Sequence, residues 1–324
     1  MPTSTEPVRL AMYCTGCMPG YHLPCFAGIA QGIFRRHGLD VEITDPEPGP
    51  DNILSVDAGR YDLCLTSVAH FLNAKLRKPA MEPRFVFMIA RRTHMAAFVV
   101  AGRIARGGQA IAGHADLDGA TVLGSADSAF VREYVTLLRQ IGVSPGPIVD
   151  TPYEDVMTGL VTGAGDVAPD FVNLLPKFEA AAAGSPAHIR VLPFYQAGVD
   201  VYGSGLVAGR SLREQRPLVL HRAVDALREA LIATRDEPAA GLEALTTRLP
   251  AVDPGQALAD WRAGEPLIFG DGDDNQLGTM SDQTWRRTLD FFASAYGDPG
   301  EIELTALRDN SFLSGSQELS AAQK

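Results

Sequence analysis

The stretch Val8–Thr44, VRLAMYCTGCMPGYHLPCFAGIAQGIFRRHGLDVEIT, decides the fold class. Its first residues alternate and are rich in β-formers, which predicts a strand over Val8–Tyr13. A loop broken by Gly16, Pro19 and Gly20 follows. The period then changes. Pro24 suits the first turn of a helix, Phe26, Ile29, Ala30 and Phe34 make one apolar face, and Gly38 closes it. LDVEIT is a second strand. A strand, a helix and a strand in this order form the unit from which parallel α/β sheets are built.

The same alternation continues outward. NILSVDAGRYD predicts a short helix stopped at Gly59, LCLTS a strand, VAHFLNAKLR a helix, and RFVFMIA and MAAFVVAG two more strands. Further on, DLDGATVLGS ends in a strand and SAFVREYVTLLRQIG is a helix. YEDVMTGLVTGAGD is a helix leading to the short strand VAP, and IRVLPFY is a strand. From Ser211 the pattern is mostly helical. The expectation is an α/β protein with mostly parallel sheets and a helical C-terminal part packed on the outside of a lobe.

The chain has 324 residues, 46% hydrophobic and 21% charged, enough for a large core or two lobes. Its net charge of −11 argues against a nucleic-acid partner, because phosphate binding needs a concentrated basic surface. The densest basic patch, Arg35-Arg36-His37, does not reverse that. No stretch is long and apolar enough to span a membrane, so membrane insertion is not expected. The first residues lack a basic, then apolar, leader, and four cysteines do not make a disulfide framework. As written, the chain is expected in the cytoplasm, and in the periplasm or outside the cell if a leader has been removed.

In open α/β sheets, ligands sit beyond the carboxyl ends of strands, where loops meet helix N-termini. Three such loops stand out: Cys14–His22, Thr66–His70 and Ser125–Ser128. Cys14 and Cys17 have the C-x2-C spacing of a metal knuckle, and His22 adds a third donor. A structural zinc site wants four donors, so no metal is expected. Cys17 is better placed as a nucleophile, with His22 nearby and a helix N-terminus downstream to favour its thiolate. The plainer alternative is pocket wall. Cys25 and Cys64 lie in apolar contexts and read as core. Ser125, Asp127 and Ser128 are either an ordinary helix cap or an anion cradle. Thr66 and Ser67 rim His70. Arg91 and Arg92 follow a strand at the expected lobe crossing, and at least one of them is read as a surface charge. Tyr21, Asp170 and Tyr202 complete the candidate ligand-binding set. GDGDDN, Gly270–Asn275, imitates a calcium loop but lacks its glycine and terminal glutamate.

GYHLPCFAGIAQGIFRRHGLDVEI, followed by AGRYDLCLTSVAHFLNAKLR, resembles the ABC-type solute-binding family for nitrate, sulfonates and the thiamine pyrimidine, nearest the branch that holds the thiamine pyrimidine synthases. DLDGATVLGS, VYGSGLVAGRSLREQRPLVLHRAVDAL and LRDNSFL agree. The resemblance implies a two-lobe, Venus-flytrap fold of the periplasmic binding protein type 2 class. Lobe one would hold 8–92 plus 198–324 and lobe two 93–197, with a ligand cleft between them. In the synthase branch, a lysine that takes pyridoxal phosphate stands four residues before the histidine that is His70 here. Thr66 holds that place, and GVDVYGS lacks the branch's cysteines, so no cofactor is expected. A desulfinase of the same fold uses a cysteine after its first strand, near Cys14 and Cys17. The resemblance therefore implies a binding protein for a planar or anionic small molecule, served by an ABC permease if exported. The alternative is a cytoplasmic enzyme, a decarboxylase, a desulfinase or a synthase-like protein, with Cys17 and His70 as catalytic residues.

Overall fold

The structure, a computed structural model, describes residues 5–13, 18–44, 49–105, 108–270, 274–298 and 300–313. The chain forms two compact units. The first holds Met1–Arg91, Tyr202–Arg286 and Pro299–Lys324, and the second Arg92–Val201 and Arg287–Asp298.

The chain opens with β1 (Glu6–Ala11), α1 (Leu23–Ala30), α2 (Ile33–Arg36), β2 (Leu39–Thr44), α3 (Gly49–Asp57), β3 (Leu63–Ser67), α4 (Val68–Arg77) and β4 (Arg84–Ala90). The helix expected from Leu23 to Gly38 is in fact two. Gly32 takes φ +67° between them, a left-handed conformation that glycine adopts without steric cost. The break also reassigns its apolar face: Phe26 and Phe34 are buried, whereas Ile29 and Ala30 are exposed.

The second unit contains β5 (Met95–Val100), β6 (Val122–Leu123), α5 (Ala129–Gln140), β7 (Ile148–Val149), α6 (Tyr153–Thr162), β8 (Ala168–Phe171), α7 (Leu175–Ala182) and β9 (Ile189–Pro193). Its central strand β5 is buried throughout and lies between β8 and β9, antiparallel to both. One face of β5 turns Met95, Ala97 and Val99 into a core with Tyr134, Leu137 and Leu138 of α5. Phe98, on the other face, stacks flat on Phe178 of α7, with centroids 3.9 Å apart. A small parallel pair, β6–β7, completes the unit.

The chain then returns as β10 (Ser204–Ala208), α8 (Arg210–Gln215), α9 (Pro217–Asp236), α10 (Ala239–Arg248), α11 (Pro254–Ile268) and α12 (Asp282–Tyr296). The first unit's sheet has the order β2-β1-β3-β10-β4. β1 is parallel to β2 and β3, but β10 enters antiparallel between β3 and β4. The first unit's sheet is thus mixed and β8-β5-β9 is antiparallel, so the sheets are not mostly parallel. The returning strand SGLVA, buried along its whole length, is what makes the first unit's sheet mixed. Gly205 is required there: a Cβ would stand 2.4 Å from the Phe87 carbonyl of β4.

The long helix α9 covers this sheet with Leu220, Val224, Leu227 and Leu231, at the spacing that keeps one face inward. The tail does not stay in one unit. Trp285 of α12 packs on Phe85 and Tyr202 in the first, whereas Phe291 joins the core of the second. Residues 287–298, expected with lobe one, therefore belong with the second unit. Within the basic patch, Arg36 and His37 both bond Glu229.

Candidate functional site

In the first unit, polar side chains gather where β1 and β3 end and β10 begins. Ser67 ends β3 and caps α4, accepting the His70 amide at 3.1 Å. The β3–β10 register sets Ser204 opposite Ser67. Ser204 shares a short hydrogen bond with the Tyr21 hydroxyl. Tyr21 and His22 lie edge to face with centroids 5.4 Å apart, and His22 Nε2 lies 2.8 Å from the Tyr13 carbonyl oxygen. Tyr13 closes the circuit, meeting the His70 ring edge-on at 4.6 Å.

Burial keeps His70, Tyr13 and Tyr21 of this circuit neutral. Burial lowers His70 to about 4, so its imidazole is uncharged at neutral pH. Burial raises the Tyr13 and Tyr21 phenols, which therefore keep their protons. The circuit presents hydroxyl donors, two imidazoles and aromatic edges, with no lysine or arginine among Tyr13, Tyr21, His22, Ser67, His70 and Ser204. His70 Nδ1 is buried with no partner among the described residues.

Other expected residues fall elsewhere. Thr66 is buried, but adjacent strand residues face opposite ways, so it does not share Ser67's side. No lysine stands there to form an imine. Lys75 of α4 donates to the Met81 carbonyl at 2.6 Å. These residues do not fit covalently held pyridoxal phosphate. Arg91 donates to Gln276 at 3.0 Å, and Arg92 lies over the Tyr195 ring at 5.2 Å, so both have local partners. The Tyr202 hydroxyl accepts the Ser281 amide at 2.7 Å. Cys14 and Cys17 lie outside the described residues. Cys25 and Cys64 are buried, and burial pushes the Cys25 thiol up to about 12. Among the described residues, no three His, Cys, Asp or Glu side chains are grouped to hold a metal ion. Asp271–Asp273 of the calcium-like loop lie outside the described residues, and Asp274 pairs with Arg235 at 2.6 Å.

The second unit carries a pocket of about 230 Å³ at the N-terminal ends of α5 and α6. Ser125, Ser128, Asp150, Thr151 and Tyr153 bring polar side chains to it, and Leu123, Phe130, Val131, Val156 and Pro169 apolar ones. Ser128 is the cap of α5 and accepts the Val131 amide at 3.2 Å. Asp127 does not line the pocket: its carboxylate is exposed and pairs with Arg132 at 3.1 Å. Asp170 sits behind the pocket on β8, nearly fully buried. It accepts the Tyr153 hydroxyl at 3.1 Å and the Phe171 amide at 2.7 Å. Burial raises its carboxyl to about 7 against those two bonds. The sequence did not single out Tyr13, Ser204, Phe130 or Tyr153. Tyr13 was findable as the last residue of a predicted strand, the other three only through the fold.

The profile of the family described as NMT1/THI5 like matches residues 20–241. The 4-amino-5-hydroxymethyl-2-methylpyrimidine phosphate synthases of Saccharomyces cerevisiae and Schizosaccharomyces pombe are 35% identical to the chain over 57 residues. That is 18% of this chain and 17% and 16% of theirs. The chain thus spans about a sixth of the length of the curated relatives it matches. The sulfonate-binding protein SsuA of Methylobacillus flagellatus superposes with a TM-score of 0.68 at 13% identity, covering 98% of this chain and 96% of that one. DszB in complex with biphenyl-2-sulfinic acid gives 0.62 at 17% identity, covering 96% and 99%. A Candida albicans protein with the generic periplasmic binding protein fold gives 0.61 at 12% identity, covering 95% and 98%. The fold is the periplasmic binding protein fold that the sequence led us to expect.

Proposed function

The chain belongs to the NMT1/THI5-like family, and we propose that it is a solute-binding protein that captures a small planar organic molecule with polar substituents. The observation that carries this is the circuit Tyr13–His70–Ser67–Ser204–Tyr21–His22, which joins hydrogen-bond donors and acceptors to aromatic edges at the strand ends. Such a surface recognises a polar ring by hydrogen bonds and ring contact, without a counter-charge. Native mass spectrometry of freshly purified protein tests it by weighing any co-purified compound. Calorimetry on the stripped protein then measures that compound's affinity. Tyr21→Phe with His70→Ala is expected to weaken it at least tenfold, about 1.4 kcal/mol. Unchanged affinity defeats the assignment of this circuit.

Delivery to an ABC-type permease is part of the same proposal, because two structural neighbours are named as components of such systems. It requires the protein on the outer side of the membrane that holds the permease. Cell fractionation decides between that location and the cytoplasm. A second reading, catalysis with Cys17 as nucleophile and His70 as base, has one observation in its favour. His70 is neutral and its buried Nδ1 is unbonded among the described residues, so it offers an acceptor for a proton.

A further inference from the structure

The pocket at the N-terminal ends of α5 and α6 is lined from the second unit alone. Its volume of about 230 Å³ leaves room for one ring and a substituent. Among the described residues, the one charged side chain that lines it is Asp150, on the loop between β7 and α6, and no lysine, arginine or histidine does. The Asp150 carboxylate has no hydrogen bond or ion pair among the described residues. Its acidic neighbours differ. Asp127 is paired with Arg132, and Asp170, behind the pocket, is held by the Tyr153 hydroxyl and the Phe171 amide. Beside Asp150, the pocket is walled by two rings. Phe130 and Tyr153 lie within 15° of parallel with centroids 5.8 Å apart. Both are fixed by other contacts, Phe130 edge-on against Phe171 at 5.0 Å and Tyr153 through its bond to Asp170. Tyr153 is nevertheless 52% exposed, so much of its ring is left to a ligand.

We infer that this pocket is a second ligand site, for a small organic cation with a flat apolar body, such as an amidinium or a protonated ring amine. Asp150 supplies the counter-charge and accepts the cation's N–H groups, which makes a charge-assisted hydrogen bond. The rings of Tyr153 and Phe130 take the flat body, and the negative face of an aromatic ring attracts a cation as well. An anion finds less here. It would need the amides at the helix starts, and those of Gly124, Ser128 and Val131 already donate, to the Val149 carbonyl, the Ser125 carbonyl and the Ser128 hydroxyl. The first turn of α6 carries Glu154 and Asp155, whose charges answer the positive end of that helix. The inference rests on the second unit alone and goes beyond the solute-binding reading, whose residues lie in the first.

The test is calorimetry on the full chain, stripped of any co-purified compound, with three probes of one shape: benzamidine, a cation; benzamide, neutral; and benzoate, an anion. Benzamidine is expected to bind, and the other two at least ~tenfold more weakly. Asp150→Asn keeps the shape of an exposed side chain and removes its charge. It is expected to melt as the wild type does and to lose benzamidine affinity at least ~tenfold. Tyr153→Leu should lose about fivefold, and Tyr153→Phe, which keeps the ring, should recover most of that. If benzoate binds as tightly as benzamidine, the pocket is an anion cradle and the inference is overturned. If benzamidine binds and Asp150→Asn binds it equally well, the cation is not held by this carboxylate, and the inference is overturned again. Absence of benzamidine binding at millimolar concentration overturns it too. The variant Tyr21→Phe with His70→Ala keeps the two readings apart. It is expected to lose affinity for a co-purified solute but not for benzamidine. Loss of benzamidine there would move the cation to the first unit's circuit, defeating this inference and leaving the solute-binding reading standing.

Discussion

The Tyr296 hydroxyl near the end of α12 donates to Oε1 of Glu133 on α5 at 2.6 Å. Burial raises this carboxyl to about 7 despite the bond. The folded state therefore holds the Glu133 proton more tightly than the unfolded chain does. Its contribution to stability is fully present below the ordinary value of 4.5 and is lost as pH rises through about 7. Glu133→Gln should flatten the dependence of melting temperature on pH between those limits. Tyr296→Phe should steepen it, because a charged carboxylate then loses its donor, and should cost about 1.5–3 kcal/mol above pH 7. Melting curves across pH 4.5–8 check both.

Asp170 shifts in the same direction for the same cause. Asp170→Asn is expected to remove a second share of that slope while keeping an acceptor for Tyr153. Tyr153→Phe should cost about 1 kcal/mol and loosen one wall of the pocket. The two slopes should add only if the sites are independent, which a double variant measures in the same melting series.

His70 behaves oppositely. Its folded value is lowered, so protonation favours unfolding, and stability falls as pH drops from about 6.5 towards about 4. Its ring proton resonances should stay constant from pH 8 to about 5. Ligand affinity over that span should show no step that His70→Gln removes. A His70 resonance that titrates near 6.5 would contradict the burial described here.

The cysteines separate binding from catalysis. Cys25 and Cys64 are buried in the first unit, with both thiols raised. Native protein treated with iodoacetamide at neutral pH should carry label at neither, because the thiolate is the reactive form. If Cys17 is a nucleophile, it should label below the usual thiol value of about 8.5 and be protected by ligand. If it titrates at or above that value and ignores ligand, the enzyme reading is lost.

Packing makes two further expectations. Phe98→Ala removes a ring stacked on Phe178 inside the second unit and should cost about 3–5 kcal/mol. Gly20→Ala drives a methyl to within 2.4 Å of the Ala257 carbonyl of α11. It should cost about 1–3 kcal/mol and displace the turn that holds Tyr21 and His22, so affinity should fall with stability. Denaturant titration, with calorimetry for the second variant, measures these losses.

Local chemistry made part of this architecture legible. LCLTS, VAHFLNAKLR and RFVFMIA coincide with β3, α4 and β4 because an apolar run meets a polar cap at Ser67 and the period changes there. Gly32 was indistinguishable in sequence from a tolerated helix glycine, and only its positive φ splits the helix. SGLVA was passed over because a fully buried strand with a glycine shows no alternation. Ser128 is the helix cap that one of its two readings gave, whereas Asp127, read with it as cap or cradle, is an exposed charge paired with Arg132. The rest of the site depends on distance along the chain. Tyr21 and Ser204 are 183 residues apart, and no local pattern announces such a pair.

The insertion of β10 between β3 and β4 has a consequence during synthesis. When the ribosome has released residues 1–91, β3 and β4 exist but the strand that joins them does not. Two edges that will be interior face the cell until residue 208 emerges. Meanwhile the segment 92–201, whose strands pair only with one another, can form its sheets. The segment 1–91 is thus made first and closed later, and the interval is when its open edges are exposed to a chaperone or to a neighbouring nascent chain.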